Sequence, residues 1–168
     1  MHDIARLMLR ELDGLRRELE AYPDDDTPWR RLEAFPNSGA NLALHVVGNL
    51  RHFVGGVLGG SGFVRDRQTE FARTSGARTE LVALVDAARH DVVRTFADLA
   101  PAALDQPYPE PPAPLVVSTR LFLMHLCAHL AFHLGQIDYH RRAVTGDRRS
   151  AGPLPLDALG GTDAPAVP

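Results

Sequence analysis

Residues 121–140 read LFLMHLCAHLAFHLGQIDYH, and between 121 and 137 there is no Asp, Glu, Lys or Arg. Five polar side chains, His125, His129, His133, Gln136 and His140, interrupt the apolar run. At about 100° per residue on an α-helix, all five fall within an arc of about 80° and form one stripe. A helix that is apolar on its other faces belongs in the middle of a fold, and its histidines are expected inside with it. A buried imidazole must be hydrogen-bonded, paired with a charge or bound to a metal, because an unsatisfied interior polar group costs about 2 kcal/mol or more. A row of such imidazoles makes a metal site the leading interpretation.

Working outward, this helix has caps at Ser118 or Thr119 and ends at Thr145, with Gly146 in the terminating position. The proline-rich segment 107–114 before it cannot be helical and reads as an extended crossover, with a short strand expected at 115–117. Three more helical patterns precede it. The first covers 3–22 on Ile4, Leu7, Met8, Leu12, Leu15 and Leu19, and Pro23 stops it. The second opens at Asn37 or Ser38 and carries Leu42, Val46, Leu50, Phe53 and Val57 until the glycines at 55, 56, 59, 60 and 62 end it. Residues 63–76 read as a loop, and the third helix runs over 79–100 until Pro101. The class is all-α, a four-helix bundle over residues 1–146 with long crossover loops, followed by an extended C-terminal strap or tail at 147–168.

Composition agrees with one globular unit: 168 residues, 45% hydrophobic and 23% charged, are enough for a single core. A formal net charge of -3 leaves no electrostatic footprint for nucleic acid or an acidic membrane surface. No apolar run of about 20 residues spans a bilayer, and the start MHDIAR leads straight into an amphipathic pattern. The single Cys127 excludes an intrachain disulfide and suits a reducing compartment, so a cytoplasmic location is expected.

A metal needs ligands from a second element, and the second helix has a matching stripe. Asn41, His45, Gly48, Asn49 and His52 also share an arc of about 100°, and no charged residue lies between Asn37 and Arg51. If the two stripes face each other, His129 and His133, one turn apart, meet His45 from across the bundle. Three neutral nitrogen ligands with one open position suit zinc, nickel or another late divalent ion, in a site of the catalytic type. The alternative is bland: His-x3-His is common on helices, and the stripe on the second helix could be a solvated face. His125 and His140 lie about two turns from the centre of the pair and read as supporting or structural groups. Gln136, Asn49 and His52 are candidates for orienting ligand or substrate.

Other chemistries fail on motif grounds. No Glu is followed three residues later by His, as di-iron bundles require, and HExxH, paired cysteines and G-x-S-x-G are absent. In the segment GFVRDRQTEF, 62–71, Arg65 or Arg67 could hold a substrate carboxylate. Equally, its four charges could pair with one another to fix the loop. Asp138, Arg141 and Arg142 read as a solvated or interfacial charge cluster.

The segments NLALHVVGNLRHF (41–53), VRDRQTEF (64–71) and HLCAHLAFHLGQIDYHRR (125–142) resemble the DinB-like, YfiT-like superfamily of metal-binding four-helix bundles. The resemblance implies an up-down-down-up bundle, frequently a homodimer, with zinc or nickel held by one His of the second helix and two of the last. Those positions are His45, His129 and His133 here. Characterised members of such a family include thiol S-transferases and a thiol-dependent isomerase. Where many relatives place an acidic residue one turn after the first His, this chain has Asn49.

The expected activity is therefore metal-dependent thiol S-transfer or hydrolysis on a small-molecule substrate, with a low-molecular-weight thiol as co-substrate in the first case. The expected partner is a second copy of the chain, with no nucleic acid and no membrane. The competing expectation is a dimeric binding or structural protein whose metal is structural or vestigial.

Overall fold

The computed structural model describes residues 2–151 and 155–159. Five α-helices occur among them, with no strand: α1 Asp3–Glu20, α2 Gly39–Leu50, α3 Arg67–Ala72, α4 Arg78–Asp98 and α5 Thr119–Thr145. Four are long and make the bundle. In α1 the residues Met8, Leu12, Leu15 and Leu19 are fully buried at helical spacing, facing Val46 and Leu50 of α2, Val85 and Val92 of α4, and Leu123, Leu130 and Ile137 of α5. Burial of each such aliphatic side chain contributes about 2 kcal/mol, which is the main force holding the layers together.

Side-chain contacts fix the helix directions. Gly39, at the start of α2, lies against Tyr22 after α1 and against His140 near the end of α5. Arg78, at the start of α4, bonds the Glu20 and Tyr22 carbonyls, while Arg51 after α2 reaches Asp91 late in α4. Near the end of α5, Arg141 meets Glu18 near the end of α1. The order is up-down-down-up, with α1 between α4 and α5, and α2 on the other side between the same pair.

Local signals work as the sequence implies. Ser38 accepts from the Asn41 amide in a reciprocal capping box, Ser118 accepts from the Leu121 amide, and Gly146 closes α5 at φ 74°. Gly146 occupies a left-handed conformation in which a side chain would be strained.

Four expectations need correction. The second helix runs past Gly55 and Gly56 to Leu58 with Gly59 at its C-cap, but from Arg51 on it is a π-helix, Arg51–Leu58, rather than an α-helix. A Cβ on Gly55 would lie 2.7 Å from the Asp91 carboxyl carbon, so this glycine admits an α4 side chain instead of breaking the element. The segment read as a loop contains α3, whose first turn is capped by Asp66 accepting from the Thr69 amide. Residues 115–117 form no strand: a lone antiparallel bridge joins Pro107 to Ser118, with Tyr108 donating to Val117 at 2.8 Å. Finally, α5 is not enclosed on all sides. A bundle helix has two neighbours, and the side of α5 away from α1 and α2 exposes Leu121, Met124, Phe132 and Tyr139, the last at 71%.

The charges at the end of α5 also differ from expectation. Arg141 is 1% exposed and Asp138 7%, because Arg141 turns inward onto Glu18, with Nε 2.5 Å from Oε2. Its Nη2 donates to the Arg149 carbonyl at 2.6 Å, and the Ala151 amide donates to Glu18 at 2.9 Å, so residues 147–151 are tied to the bundle end. A further turn, Leu156–Leu159, packs against α1. The rest of the expected tail, 152–154 and 160–168, lies outside the described residues.

Candidate metal centre

Antiparallel packing of α2 on α5 brings the two polar stripes face to face. His45, His129 and His133 offer ligand atoms that all lie within 4.8 Å of one another. Nε2 of His129 is 3.3 Å from Nε2 of His45 and 3.2 Å from Nε2 of His133. Nitrogens held about 2.0–2.1 Å from a tetrahedral ion stand about 3.3–3.4 Å apart, so these two edges match a ligand set. The donor set fits a late divalent ion: three imidazoles, with no carboxylate pointing among them.

Each imidazole has a support behind it. The carboxylate of Glu70 lies 3.2 Å from Nδ1 of His45, and a proton held on that nitrogen leaves Nε2 free to face the other rings. Gln136 Oε1 accepts from Nδ1 of His133 at 2.7 Å. The side-chain amide of Asn49 stands 3.3 Å from His45 Nε2 and 3.4 Å from His129 Nδ1, between the two helices. Arg65 is committed to this framework: Nε and Nη2 reach the two Glu70 oxygens at 2.6 and 2.7 Å, and Nη1 donates to Asn49 Oδ1 at 2.8 Å. Its Nη2 also lies 3.1 Å from His45 Nδ1.

Electrostatics keep the His129 and His133 rings neutral. His129 is pushed down to about 4 by burial and by the neighbouring His133, His45, His125 and Arg65. Burial lowers His133 as well, against the raising effect of its bond to Gln136. Burial alone would raise Glu70, but the hydrogen bonds from Arg65 and His45 outweigh it and hold the carboxyl below its ordinary range. At neutral pH His129 and His133 therefore offer imidazole lone pairs, and Glu70 stands as a carboxylate behind His45.

The other sequence candidates spread around this centre. His125 is exposed, one turn from His129, with ring centroids 6.1 Å apart. Gln136 is exposed too. His52 packs edge-on against Phe53 at 4.6 Å and lies outside the three-histidine group. Arg67 sits 5.2 Å over the Phe71 ring, which itself packs 5.0 Å from His45. His140 is buried two turns beyond His133, bonded to the Tyr22 hydroxyl and the Arg30 carbonyl, both at 2.7 Å, and so belongs to the packing of the bundle end.

Glu70 is the residue the sequence reading passed over as a mere loop charge. Two signals pointed to it. Asp66 caps a helix that turns Glu70 inward, and Gly48, a helical glycine one turn after His45, marks a close approach. A Cβ on Gly48 would lie 2.1 Å from Glu70 Oε1, so the missing side chain is what lets the carboxylate in.

Comparison with curated proteins and with solved structures returned no match. One family model, described as the DinB superfamily, matches residues 7–137, a span that runs from α1 through all three histidines of the centre to Ile137. The chain belongs to the DinB superfamily.

Proposed function

We propose that this protein is a divalent-metal-dependent enzyme acting on a small molecule, by thiol S-transfer or by hydrolysis. The observation that carries this reading is the convergence of three Nε2 atoms from α2 and α5 at ligand spacing, with imidazole donors only. A zinc or nickel ion bound by His45, His129 and His133 supplies Lewis acidity that makes a thiol or a water nucleophilic near neutral pH. The chain's own contribution is preorganisation: Glu70 and Gln136 hold protons on the rear nitrogens of His45 and His133, which fixes both rings. Phe71 packs 5.0 Å from the His45 ring and covers one side of the site. No helix among the described residues is long and apolar enough to cross a membrane. This reading takes the chain to act in the cytoplasm, its lone cysteine held reduced.

The test is metal analysis of protein purified without chelators, followed by assays of thiol transfer to an electrophile and a hydrolase panel. About one ion per chain, lost in His129→Ala together with activity while the fold is kept, is the expected result. A protein that contains no metal and takes none up overturns the reading.

A second reading has its own support. The exposed apolar residues Leu115, Val116, Leu121 and Met124 gather where the crossover meets α5, a surface suited to pairing two copies. If the chain is a dimeric binding or structural protein, removing the metal unfolds it and no activity appears in the panel.

A further inference from the structure

A cavity of about 640 Å³ opens between the 30–37 connection and the outer side of α5, and His133 forms part of its wall. The rest of the lining is mostly apolar, Leu32, Phe35, Leu42, Phe132 and Tyr139 among it, with Gln136 beside His133 as a polar group and Asn37 and His140 as further polar positions. This size and character fit a small-molecule site. The cavity borders the metal centre through His133, and Leu42 of its lining lies one turn before His45 on α2.

Gly135 is part of the lining. It sits in the middle of a 27-residue helix, where glycine weakens the helix relative to alanine. Neither of the usual reasons for a glycine applies. It is not among the positive-φ glycines, and a Cβ built there meets nothing within 4 Å. By contrast, Gly39, Gly48 and Gly55 each leave room for a neighbouring side chain of the same chain. Gly135 is an exposed residue of the cavity lining, and a Cβ there would stand in open space at its edge.

We propose that this cavity holds the apolar body of the substrate, a chain or ring of about six to eight carbons, with Gly135 as the residue that keeps room for it. The substrate's polar head then lies at the His133 end. This inference rests on the metal-enzyme reading and names its substrate class: apolar molecules with one metal-seeking end. The occupant is a small molecule because the cavity has the volume of a small-molecule site and meets the metal centre at His133, with Gln136 beside it. The exposed apolar surface around Leu121 and Met124 is separate, about three turns away along α5.

Two probes with the same head test it: acetohydroxamate and octanohydroxamate, titrated calorimetrically into zinc-loaded protein. Octanohydroxamate is expected to bind about 50-fold tighter, the gain from burying about half of its added methylenes. Gly135→Leu starts from a Cβ position with open space around it and projects a side chain into the cavity; it is expected to bring the two affinities within about threefold, leaving zinc stoichiometry and acetohydroxamate binding unchanged. Equal affinities in the wild type, or an undiminished ratio in Gly135→Leu, overturn the inference while the metal reading stands. If the wild type binds no zinc and neither probe, the metal reading fails and the inference falls with it. A change of oligomeric state in Gly135→Leu, seen by sedimentation, assigns the cavity to an interface between copies and also overturns it.

Discussion

The Glu70 carboxylate stands 3.2 Å behind His45, on the ring nitrogen opposite the one that faces His129. Glu70 is itself clamped by Arg65 through two hydrogen bonds of 2.6 and 2.7 Å. Such a carboxylate fixes the tautomer of a metal-binding imidazole and raises its basicity, and losing one typically weakens metal binding by about 10–100-fold. Glu70→Gln keeps an acceptor but loses the charge. We expect a drop in zinc affinity within that range, measured by competition with a chromophoric chelator. Unchanged affinity would mean that Glu70 only braces the loop.

Two glycines one helix apart should respond in opposite ways. Gly48→Ala places a methyl group 2.1 Å from the Glu70 carboxylate, so Glu70 must shift; both zinc affinity and thermal stability should fall. Gly135→Ala meets nothing within 4 Å, and replacing a helical glycine there should stabilise the fold by up to about 1 kcal/mol. Melting curves of the two variants measure the contrast. A destabilised Gly135→Ala would show that this position is glycine for a reason inside the chain.

Much of this was legible from side-chain periodicity. The stripe from His125 to His140 and the stripe from Asn41 to His52 announce two helices with polar faces, and caps such as Ser38, Ser118 and Gly146 mark their ends through local chemistry. What could not be read depends on contacts between distant segments. Gly55 looks like a breaker until Asp91 is seen in the space it leaves, and Arg141 looks solvated until Glu18 is found beside it. The exposed side of α5 escaped notice for a related reason: an apolar face does not say whether this chain covers it. Residues such as Phe132 and Gly135 become informative only once that face is seen to be open.

The Glu18–Arg141 pair joins α1, α5 and residues 147–151, with both side chains essentially excluded from solvent. Burial raises the Glu18 carboxyl, against the lowering effect of Arg141. Arg141→Met removes the partner and leaves a buried acid with the Ala151 amide as a remaining donor. A loss of about 3 kcal/mol in urea denaturation is expected, the usual scale for breaking a buried pair from one side. Limited proteolysis should also cut near residue 150 sooner, and a variant as stable as wild type would assign the segment's attachment to other contacts.

Acid should destabilise the metal-free protein through His129. Burial and its cationic and imidazole neighbours push this group down to about 4, against an ordinary value near 6.5. Between those two pH values the unfolded chain binds a proton that the folded chain refuses, so the free energy of unfolding rises with pH across the window. The contribution is fully present above about pH 6.5 and is lost as pH falls to about 4. Because His129 is only half-buried, solvent screening reduces the effect to about 2 kcal/mol. Urea titrations of EDTA-treated protein at three pH values within the window measure it, and His129→Leu should flatten the profile. Wild type and His129→Leu losing stability in parallel would place the acid sensitivity elsewhere in the bundle.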